Sequence, residues 1–321
     1  MQAIVHRRYG GPGVLEVADL APPDLDADGV LVRVRASSLN AGDWHAMWGR
    51  PYVMRAGSGL RRPKAGRLGV DLAGVVEAVG ANVSRLQPGD EVYGMVPNGA
   101  FAEQIAGGVW IVPKPRALTF EDAASVPAAG CTALQAVRDH GRVEAGQRVL
   151  VHGAGGGVGT FAVQIAKAFG AEVTAATTAA KVELVRSLGA EDVVDHARDD
   201  VIGGHHRFDV IVDVGARRSI GDLRRGLAPD GLLVLVGAGR GPTGPLGRFA
   251  ATALRSRIAR QRVVAFVAGG AFEENLQVMT DLVEAGRVRP VVDRIFSLAE
   301  AGDAMRYFAS GPAGKVVLRI P

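Results

Sequence analysis

The stretch "RVLVHGAGGGVGTFAVQIAKA", Arg148 to Ala168, decides the fold. It opens with an apolar run typical of a buried strand, which leads directly into the glycine-rich segment at 153–159. The amphipathic pattern that follows predicts a helix from about Gly157 to Phe169. Glycines in such a turn let the backbone approach a pyrophosphate, which the free N–H groups at the helix start can bind. Strand, loop and helix together predict dinucleotide binding rather than a purely structural turn.

Strand-like and helix-like patterns alternate beyond this stretch. A helical pattern lies near Ala180 to Leu188, and short apolar runs occur at "EVTAAT", "FDVIVDVG", "GLLVLVG" and "RVVAFVAG". Apolar runs this short, separated by helices, are typical of a parallel sheet that is covered on both faces. We therefore predict an α/β fold with a doubly wound nucleotide domain.

The chain before about residue 115 has a different pattern, with short β-like runs broken by turn signals such as PPD, PGD and PNG. Thr119 is expected to cap the first long helix, with Asp122 at its third position. We predict a β-rich substrate domain at residues 1–118, completed by the tail at 288–321, and the nucleotide domain at 119–287.

Composition indicates an ordinary globular protein. The 321 residues are 48% hydrophobic and 22% charged, and the net charge is only +4. The densest basic run comprises Arg255, Arg257, Arg260 and Arg262. We interpret it as a solvated helix face or as a site beside a subunit contact. It has no neighbouring aromatic residues on which bases could stack, so we expect no nucleic-acid partner.

Targeting and redox signals point to a cytoplasmic protein. The start "MQAIVHRRYGG" has no signal-peptide core, and every apolar stretch is shorter than the ~18 residues of a membrane span. We therefore expect no membrane association. Cys131 is the single cysteine, so an intrachain disulfide is excluded, and a reducing compartment is expected.

The residues after the second nucleotide-domain strand favour NADPH over NADH. An NAD site usually has Asp or Glu there, to accept hydrogen bonds from the ribose hydroxyls. This chain instead has Thr177 and Thr178, which can donate to a 2′-phosphate, and Lys181, which can neutralise its charge. The alternative for Lys181 is a solvated position early in the next helix.

Several segments occur in the order of a known family: "VRASSLNAGDWHAMWG", "LGVDLAGVVEAVGANVSRLQPGDEVYG", "VPAAGCTAL", "VLVHGAGGGVG" and "GKVVL". The sequence resembles the zinc-free quinone oxidoreductase branch of the medium-chain dehydrogenase/reductase superfamily over nearly its whole length. The resemblance implies a GroES-like β-barrel substrate domain, a Rossmann domain, and an active-site cleft between them. It also implies a homodimer, formed through the sheet edge near Arg262–Gly269, which would otherwise be a bare apolar strand.

The same resemblance, together with the glycine motif, implies a set of cofactor contacts. Their expected positions are Thr132, Gly153, Gly155, Gly156, Gly157, Val158, Thr177, Thr178, Lys181, His196, Val214, Gly237, Ala238, Phe266, Val267 and Lys315.

Zinc-dependent relatives hold a catalytic metal with Cys, His and a second Cys, and the matching positions here are Asn40, Val70 and Ala128. Catalytic zinc needs three thiolate, imidazole or carboxylate ligands, so we expect no metal. The single cysteine likewise excludes a four-cysteine structural zinc site. His45 is interpreted as a hydrogen-bonded wall residue rather than a substitute ligand, and His205 and His206 as solvated loop residues.

Without a metal, hydrogen-bond donors must stabilise the charge that a transferred hydride leaves on the acceptor oxygen. Asn40 is the first candidate, with a structural role as its alternative, and Tyr52 and Tyr93 are further donors. Tyr52 is also the best candidate proton donor, although solvent can replace it. Asp43, which also belongs to the expected pocket, is expected to brace the Asn40 loop rather than to act as an acid. The remaining pocket wall is expected to contain aromatic side chains, namely Trp44, Trp48, Phe101 and Phe266, with simple core packing as the alternative for the first three.

Such donors suit quinones and activated C=C bonds, so the leading hypothesis is an NADPH-dependent reductase of those compounds. A tailoring reductase of a carbonyl or imine biosynthetic intermediate, and a non-catalytic NADPH-binding structural or RNA-binding protein, are the alternatives. The basic segment Arg50 to Gly69 is expected to edge the cleft. For its Arg61, Arg62 and Lys64 we prefer contact with water to contact with an anionic substrate.

Overall fold

The computed structural model describes residues 1–64, 66–107, 110–203, 207–215, 218–237 and 261–321. The chain divides into two compact units. Unit 1 comprises Met1–Ala128, Ala271–Glu284 and Pro290–Pro321, and unit 2 comprises Ala129–Gly270 and Ala285–Arg289. Some residues named above lie outside the described ranges, namely His205, His206, Ala238, Arg255, Arg257 and Arg260.

The described strands are β1 (Gln2–Val5), β2 (Glu16–Asp19), β3 (Val30–Ser38), β4 (Asp71–Val79), β5 (Glu91–Met95), β6 (Gln104–Gly107), β7 (Trp110–Pro113), β8 (Arg148–His152), β9 (Glu172–Thr177), β10 (Asp192–Asp195), β11 (Phe208–Asp213), β12 (Leu227–Val236), β13 (Arg262–Phe266), β14 (Val292–Ser297) and β15 (Lys315–Arg319). The described α-helices are α1 (Ala41–Trp48), α2 (Arg55–Ser58), α3 (Phe120–Ala124), α4 (Pro127–Leu134), α5 (Gly157–Ala168), α6 (Val182–Ser187), α7 (Ile220–Arg225), α8 (Phe272–Glu284) and α9 (Ala301–Ala309).

Unit 1 is built on a seven-stranded sheet. Its strand order is β14-β15-β3-β4-β5-β7, β6 also pairs with β3, and β1 and β2 form a separate antiparallel pair. Burial alternates along β3, where Val32 and Val34 are buried while Arg33 and Arg35 are exposed. The C-terminal strand β15 returns to this sheet and pairs antiparallel with β3, so that the two ends of the chain share one core.

Unit 2 contains six parallel strands in the order β10-β9-β8-β11-β12-β13. The order reverses between β8 and β11, which is the pattern of a doubly wound sheet. The predicted fold class is therefore confirmed. Thr119 also caps α3 as predicted, because its side chain accepts the N–H of Asp122. No helix in the described ranges combines the length and the apolar character that crossing a membrane requires.

The structure differs from the predicted elements in two places. The stretch around Asn40, interpreted as a loop in a β-rich module, forms helix α1 at Ala41–Trp48. The single long helix expected after Thr119 is divided into α3 and α4, because Pro127 disfavours helical backbone at the residue before it.

The two compact units also differ from the predicted domain bounds. Unit 1 continues to Ala128 and takes up helix α8, which was expected in the nucleotide domain. Side-chain contacts explain this position of α8, since the Tyr93 hydroxyl donates to the Leu276 carbonyl and Trp110 packs against the ring of Phe272. A helix that follows a nucleotide-domain strand in sequence thus packs on the barrel sheet.

Candidate active site and cofactor loop

Asn40 occupies the N-cap of α1, with extended backbone at φ −130° and ψ 162°. Its N–H donates to Oδ2 of Asp43 at 2.9 Å, and Oδ1 of Asp43 accepts the N–H of Gly69 at 2.9 Å. Gly69 has φ +96°, and a Cβ there would lie 2.5 Å from the Phe101 nitrogen, so this close approach requires glycine. Asp43 therefore ties the start of α1 to the residues before β4, in the bracing arrangement expected for it.

A buried polar network surrounds the Asp71 carboxylate at the start of β4. Its Oδ2 accepts the Asn40 side-chain N–H at 2.8 Å and the Ser38 hydroxyl at 2.6 Å, while its Oδ1 accepts the Ala128 N–H at 2.9 Å. The Lys315 ammonium lies 3.5 Å from the same Oδ2 and donates to Oδ1 of Asn40 at 2.5 Å. Asp71 is 0% and Lys315 3% exposed, so this ion pair is separated from solvent.

Burial dominates the electrostatics of this network. It raises the pKa of Asp43 to about 7, with Asp71 adding to the rise, while the N–H groups of Gly69 and Asn40 and the charge of Lys315 oppose it. Burial also lowers the pKa of Lys315, against the nearby carboxylates of Asp71 and Asp43. Asp43 thus titrates near neutral pH inside unit 1.

The arrangement changes the interpretation of Asn40. Both N–H groups of its amide have acceptors inside the protein, since the second points to the Ser38 carbonyl at 3.3 Å. A donor role toward substrate was predicted for Asn40, with a structural role as the alternative, and the described contacts favour the structural role. Asn40 is partly exposed, and it holds the Lys315–Asp71 pair beside the start of α1.

Three of the predicted pocket residues lie near the protein surface. Trp44 and Trp48 are partly buried, with ring centroids 5.9 Å apart, and pack against the unit 1 core. Tyr52 is 59% exposed. The guanidinium groups of Arg50 and Arg55 lie 5.7 and 4.9 Å from its ring centroid.

Two other predicted pocket residues are corrected by the structure. Tyr93 is 0% exposed and Phe101 only 1%, so neither presents surface that a substrate could contact. The Tyr93 hydroxyl donates to the Leu276 carbonyl at 3.1 Å and lies 2.9 Å from the Thr280 hydroxyl. Both aromatic side chains therefore belong to the interior of unit 1. Tyr93 on a strand and Phe101 in a tight turn pack as core residues.

The glycine-rich loop lies at the carboxyl end of β8. Gly153 has φ +87°, and its N–H donates to the Ala176 carbonyl at 3.0 Å. Helix α5 begins after Gly156 with no side-chain cap, which leaves the N–H groups of its first turn available to an anion. A Cβ at Gly159 would lie 2.2 Å from the Gly153 carbonyl oxygen. Gly159 was missing from the predicted cofactor set, although the third glycine of such a loop is expected to allow close helix packing.

The end of β9 packs directly on this loop. A Cβ at Gly155 would lie 2.5 Å from Oγ1 of Thr177 and 2.5 Å from Cδ of Lys181. Thr177 is 3% exposed, whereas Thr178 is exposed. The backbone N–H of His196 donates to the Thr177 carbonyl at 3.0 Å, which brings another predicted residue to the same place. The residues present therefore fit a phosphate-bearing cofactor.

A buried histidine–carboxylate pair, which was not predicted, lies beside the loop. His152 ends β8 and Asp213 ends β11, and Nδ1 of the histidine lies 2.7 Å from Oδ1 of the carboxylate. The Val214 N–H donates to the His152 carbonyl at 2.9 Å. These strands flank the point where the sheet order reverses, which is where ligands bind in such folds. The available signal was a polar residue at the end of each apolar strand.

The remaining predicted cofactor residues are spread over both units. The Gly237 N–H donates to the Phe266 carbonyl at 3.0 Å, the Phe266 ring lies 4.1 Å from that of His140, and Val267 is 60% exposed. Thr132 lies on α4 and is partly buried. Lys315, by contrast, belongs to the Asp71 network of unit 1. In the described ranges, no three His, Cys, Asp or Glu side chains are grouped so that they could hold a metal ion.

Comparisons with known proteins agree with this architecture. Residues 26–108 match the family described as "Alcohol dehydrogenase GroES-like domain", and residues 188–318 match "Zinc-binding dehydrogenase". The chain is 33% identical to 2-methylene-furan-3-one reductase of Solanum lycopersicum, over 99% of this chain and 79% of that protein. It belongs to the medium-chain dehydrogenase/reductase superfamily.

Two further members of the superfamily support the same grouping. NAD(P)H oxidoreductase RTN4IP1, mitochondrial, of Mus musculus is 32% identical, over 100% of this chain and 89% of that protein. The solved structure of the quinone oxidoreductase from Coxiella burnetii superposes with a TM-score of 0.86 at 30% identity, covering 100% of this chain and 99% of that one. The predicted resemblance is therefore confirmed, and these relatives support an oxidoreductase that uses a nicotinamide cofactor.

Proposed function

We propose that this chain is an NADPH-dependent reductase of quinones or of C=C bonds conjugated to a carbonyl, acting without a bound metal. The observation that carries the proposal is the chemistry of the three superfamily metal positions. The Asn40 amide is held by Asp71 and Lys315, the side chains of Val70 and Ala128 offer no ligand atom, and the Ala128 N–H donates to Asp71. Zinc prefers thiolate, imidazole or carboxylate ligands, so these residues do not fit it.

Because the proposed site has no zinc to stabilise negative charge on the substrate, it suits only certain substrates. A bound NADPH supplies a hydride, and the acceptor must then disperse negative charge by conjugation. We assign Tyr52 to bind the acceptor oxygen or to donate a proton to the reduced substrate. Its ring is exposed, and the guanidinium groups of Arg50 and Arg55 face it. The names of two relatives, 2-methylene-furan-3-one reductase and quinone oxidoreductase, support the same acceptors.

The preference for NADPH is proposed from the contacts at the glycine loop. Thr177 and Lys181 lie against Gly155, and the residues that directly follow β9, Thr178 to Lys181, contain no carboxylate. A hydroxyl and an ammonium group favour a 2′-phosphate, whereas a carboxylate would repel it. Lys181→Ala should reduce the ratio of kcat/KM with NADPH to that with NADH by about tenfold, and an unchanged ratio contradicts this assignment.

The reaction itself is tested with a panel of quinones, enones, saturated ketones and alcohols, followed by loss of nicotinamide absorbance. We expect turnover of quinones or enones by protein treated with a chelator, with no gain on added zinc. Turnover of simple alcohols that requires zinc would overturn the proposal. Tyr52→Phe serves as the matched variant for the proton or donor role, because it removes only the hydroxyl.

We further propose a homodimer formed through β13. This strand ends the described sheet of unit 2, and Val267 just beyond it is 60% exposed. Sedimentation equilibrium should give twice the mass of one chain for the natural protein. Val267→Asp should shift the equilibrium toward single chains. A dimer that this substitution leaves unchanged would show that the β13 edge is not the dimer interface.

A further inference from the structure

A cavity of about 630 Å³ opens on unit 1 between the end of β1 and the segment that precedes β4. Its size is within the usual range for sites that bind organic ligands, roughly 300–1,000 Å³. It shares no residue with the Asn40–Asp71–Lys315 network or with the glycine loop.

The charged residues that line this cavity are all of one sign. Arg7, Arg62, Lys64 and Arg67 contribute to its wall, and no acidic residue does. Arg7 has one long ion pair, with Glu16 at 3.9 Å, in which both side chains are well exposed. Within the part of the chain that the structure describes, no acidic side chain forms an ion pair with Arg62, Lys64 or Arg67. Such a cluster repels itself and attracts a multiply charged anion.

A buried polar side chain also faces this cavity. His6 is 3% exposed, and its Nδ1 is buried without a hydrogen-bond partner among the described residues. Burial lowers the pKa of the ring, and a backbone hydrogen bond with Arg8 opposes this change. The His6 ring thus contributes to the cavity wall, but its Nδ1 is buried and is not offered to a ligand.

The backbone holds the two basic walls in a fixed relation. The His6 N–H donates to the Gly66 carbonyl at 2.7 Å, and Val5 forms an antiparallel bridge with Arg67. The Arg67 guanidinium also lies over Gly99, where a Cβ would approach its Nε and Cζ to 3.4 Å. His6 and Arg67 are therefore positioned by the fold, while Arg62 and Lys64 are exposed and able to close on a ligand.

We infer that this cavity is an anion-binding site for an organic phosphate. Planar guanidinium groups match the oxygens of a phosphate, and the Lys64 ammonium adds charge. Val5 and Leu20 supply an apolar part of the wall, against which the uncharged portion of such a ligand packs. The site is additional to the proposed reductase reaction and does not depend on it.

Direct binding tests the inference, with hexyl phosphate as the probe and isothermal titration calorimetry as the measurement. The titration is done in saturating NADP⁺, because the glycine loop would otherwise bind phosphate as well. We expect the double variant Arg62→Gln/Lys64→Gln to bind hexyl phosphate at least about tenfold more weakly than the natural protein. Arg61→Gln is the matched control, since Arg61 is an exposed neighbour outside the cavity wall, and it should bind normally.

Three outcomes would overturn the assignment. They are no binding of hexyl phosphate by the natural protein, an equal loss in Arg61→Gln and the double variant, and equal binding of hexanoate, which carries a carboxylate in place of the phosphate. Inorganic phosphate should bind more weakly than hexyl phosphate, and equal binding would contradict the apolar contact. An unchanged urea denaturation curve of the double variant shows that its fold is intact, so failure here is separable from failure of the reductase proposal.

Discussion

The Lys315 ammonium donates to the Asn40 side-chain oxygen at 2.5 Å across 275 residues of sequence. This hydrogen bond joins the last strand of the chain to the N-cap of its first helix. The same ammonium is 3.5 Å from the Asp71 carboxylate, so three elements of unit 1 meet at one buried positive charge. Asn40 stands at the position where zinc-dependent members of the superfamily have a thiolate ligand. Its side-chain oxygen here accepts a hydrogen bond from the Lys315 ammonium.

Lys315→Met should destabilise unit 1 strongly. It removes the cation and leaves the 0% exposed carboxylate of Asp71 without a counter-charge. Breaking a buried ion pair from one side costs about 3–5 kcal/mol. Urea denaturation at pH 7 should show a loss of that order.

The double variant Lys315→Met/Asp71→Asn is the control for this prediction. It removes both charges, so neither is left buried alone, and it should recover part of the stability lost in the single variant. A single variant as stable as the natural protein would mean that Ser38, Asn40 and Ala128 alone solvate the Asp71 carboxylate.

Asp43 should make the stability of the protein depend on pH in an unusual direction. Its pKa is about 7 in the folded protein against an ordinary value of 3.8, so the folded state binds the extra proton between these values. The stabilisation is complete below about pH 4 and is lost at about 1.4 kcal/mol per pH unit as the pH rises to about 7. Above that pH the contribution is constant.

The variant Asp43→Asn isolates this contribution, because it cannot titrate. The difference in unfolding free energy between the natural protein and the variant should fall steadily from pH 4 to pH 7 and then level off. Asp71 and Lys315 face the same carboxylate and are unchanged in both proteins. A difference that is independent of pH would mean that Asp43 stays ionised throughout this range.

The cofactor loop was predictable because its signals are local. A strand, seven residues that include five glycines and one turn of helix determine its path, and α5 begins at Gly157 as the hydrophobic period indicated. The polar network was not predictable in this way. Asp71 and Lys315 are 244 residues apart, and each stands at the start of an apolar strand that gives no sign of its partner.

The roles of individual aromatic residues likewise could not be predicted from a single sequence. Tyr93 and Trp44 were both interpreted within a β-rich module, yet Tyr93 is fully buried on strand β5, whereas Trp44 is partly exposed on helix α1. Helix α8 packs against Tyr93, since its Leu276 carbonyl accepts the Tyr93 hydroxyl. No local pattern indicates that a helix following the nucleotide-domain strands returns to pack on the barrel sheet.

Gly159→Ala should destabilise unit 2 although alanine is the better helix former. Alanine gains about 0.5–1 kcal/mol in a helix interior. The added Cβ, however, would lie 2.2 Å from the Gly153 carbonyl oxygen and 2.7 Å from Cα of Ala154, and these are backbone atoms. Overpacking of that kind costs about 1–3 kcal/mol, so the clash should decide the sign.

Gly156→Ala is the matched control in the same loop. Its Cβ would meet only the Gly153 carbonyl oxygen, at 3.7 Å, which is an ordinary contact. Thermal unfolding without cofactor should therefore show a lower Tm for Gly159→Ala and a much smaller change for Gly156→Ala. Equal changes in the two variants would show that the close approach at Gly159 is relieved by movement of the loop.

Tyr93→Phe and Tyr52→Phe should separate a structural hydroxyl from a functional one. The Tyr93 hydroxyl is buried between the Leu276 carbonyl and the Thr280 side chain, so its removal should cost about 1–2 kcal/mol of stability and change kcat/KM by less than about twofold. Tyr52 is 59% exposed, and Tyr52→Phe should alter stability by less than about 0.5 kcal/mol while lowering kcat. If Tyr93→Phe instead lowered kcat at unchanged stability, the Tyr93 hydroxyl would have to reach the substrate. Urea denaturation and steady-state kinetics on the same quinone or enone distinguish the two cases.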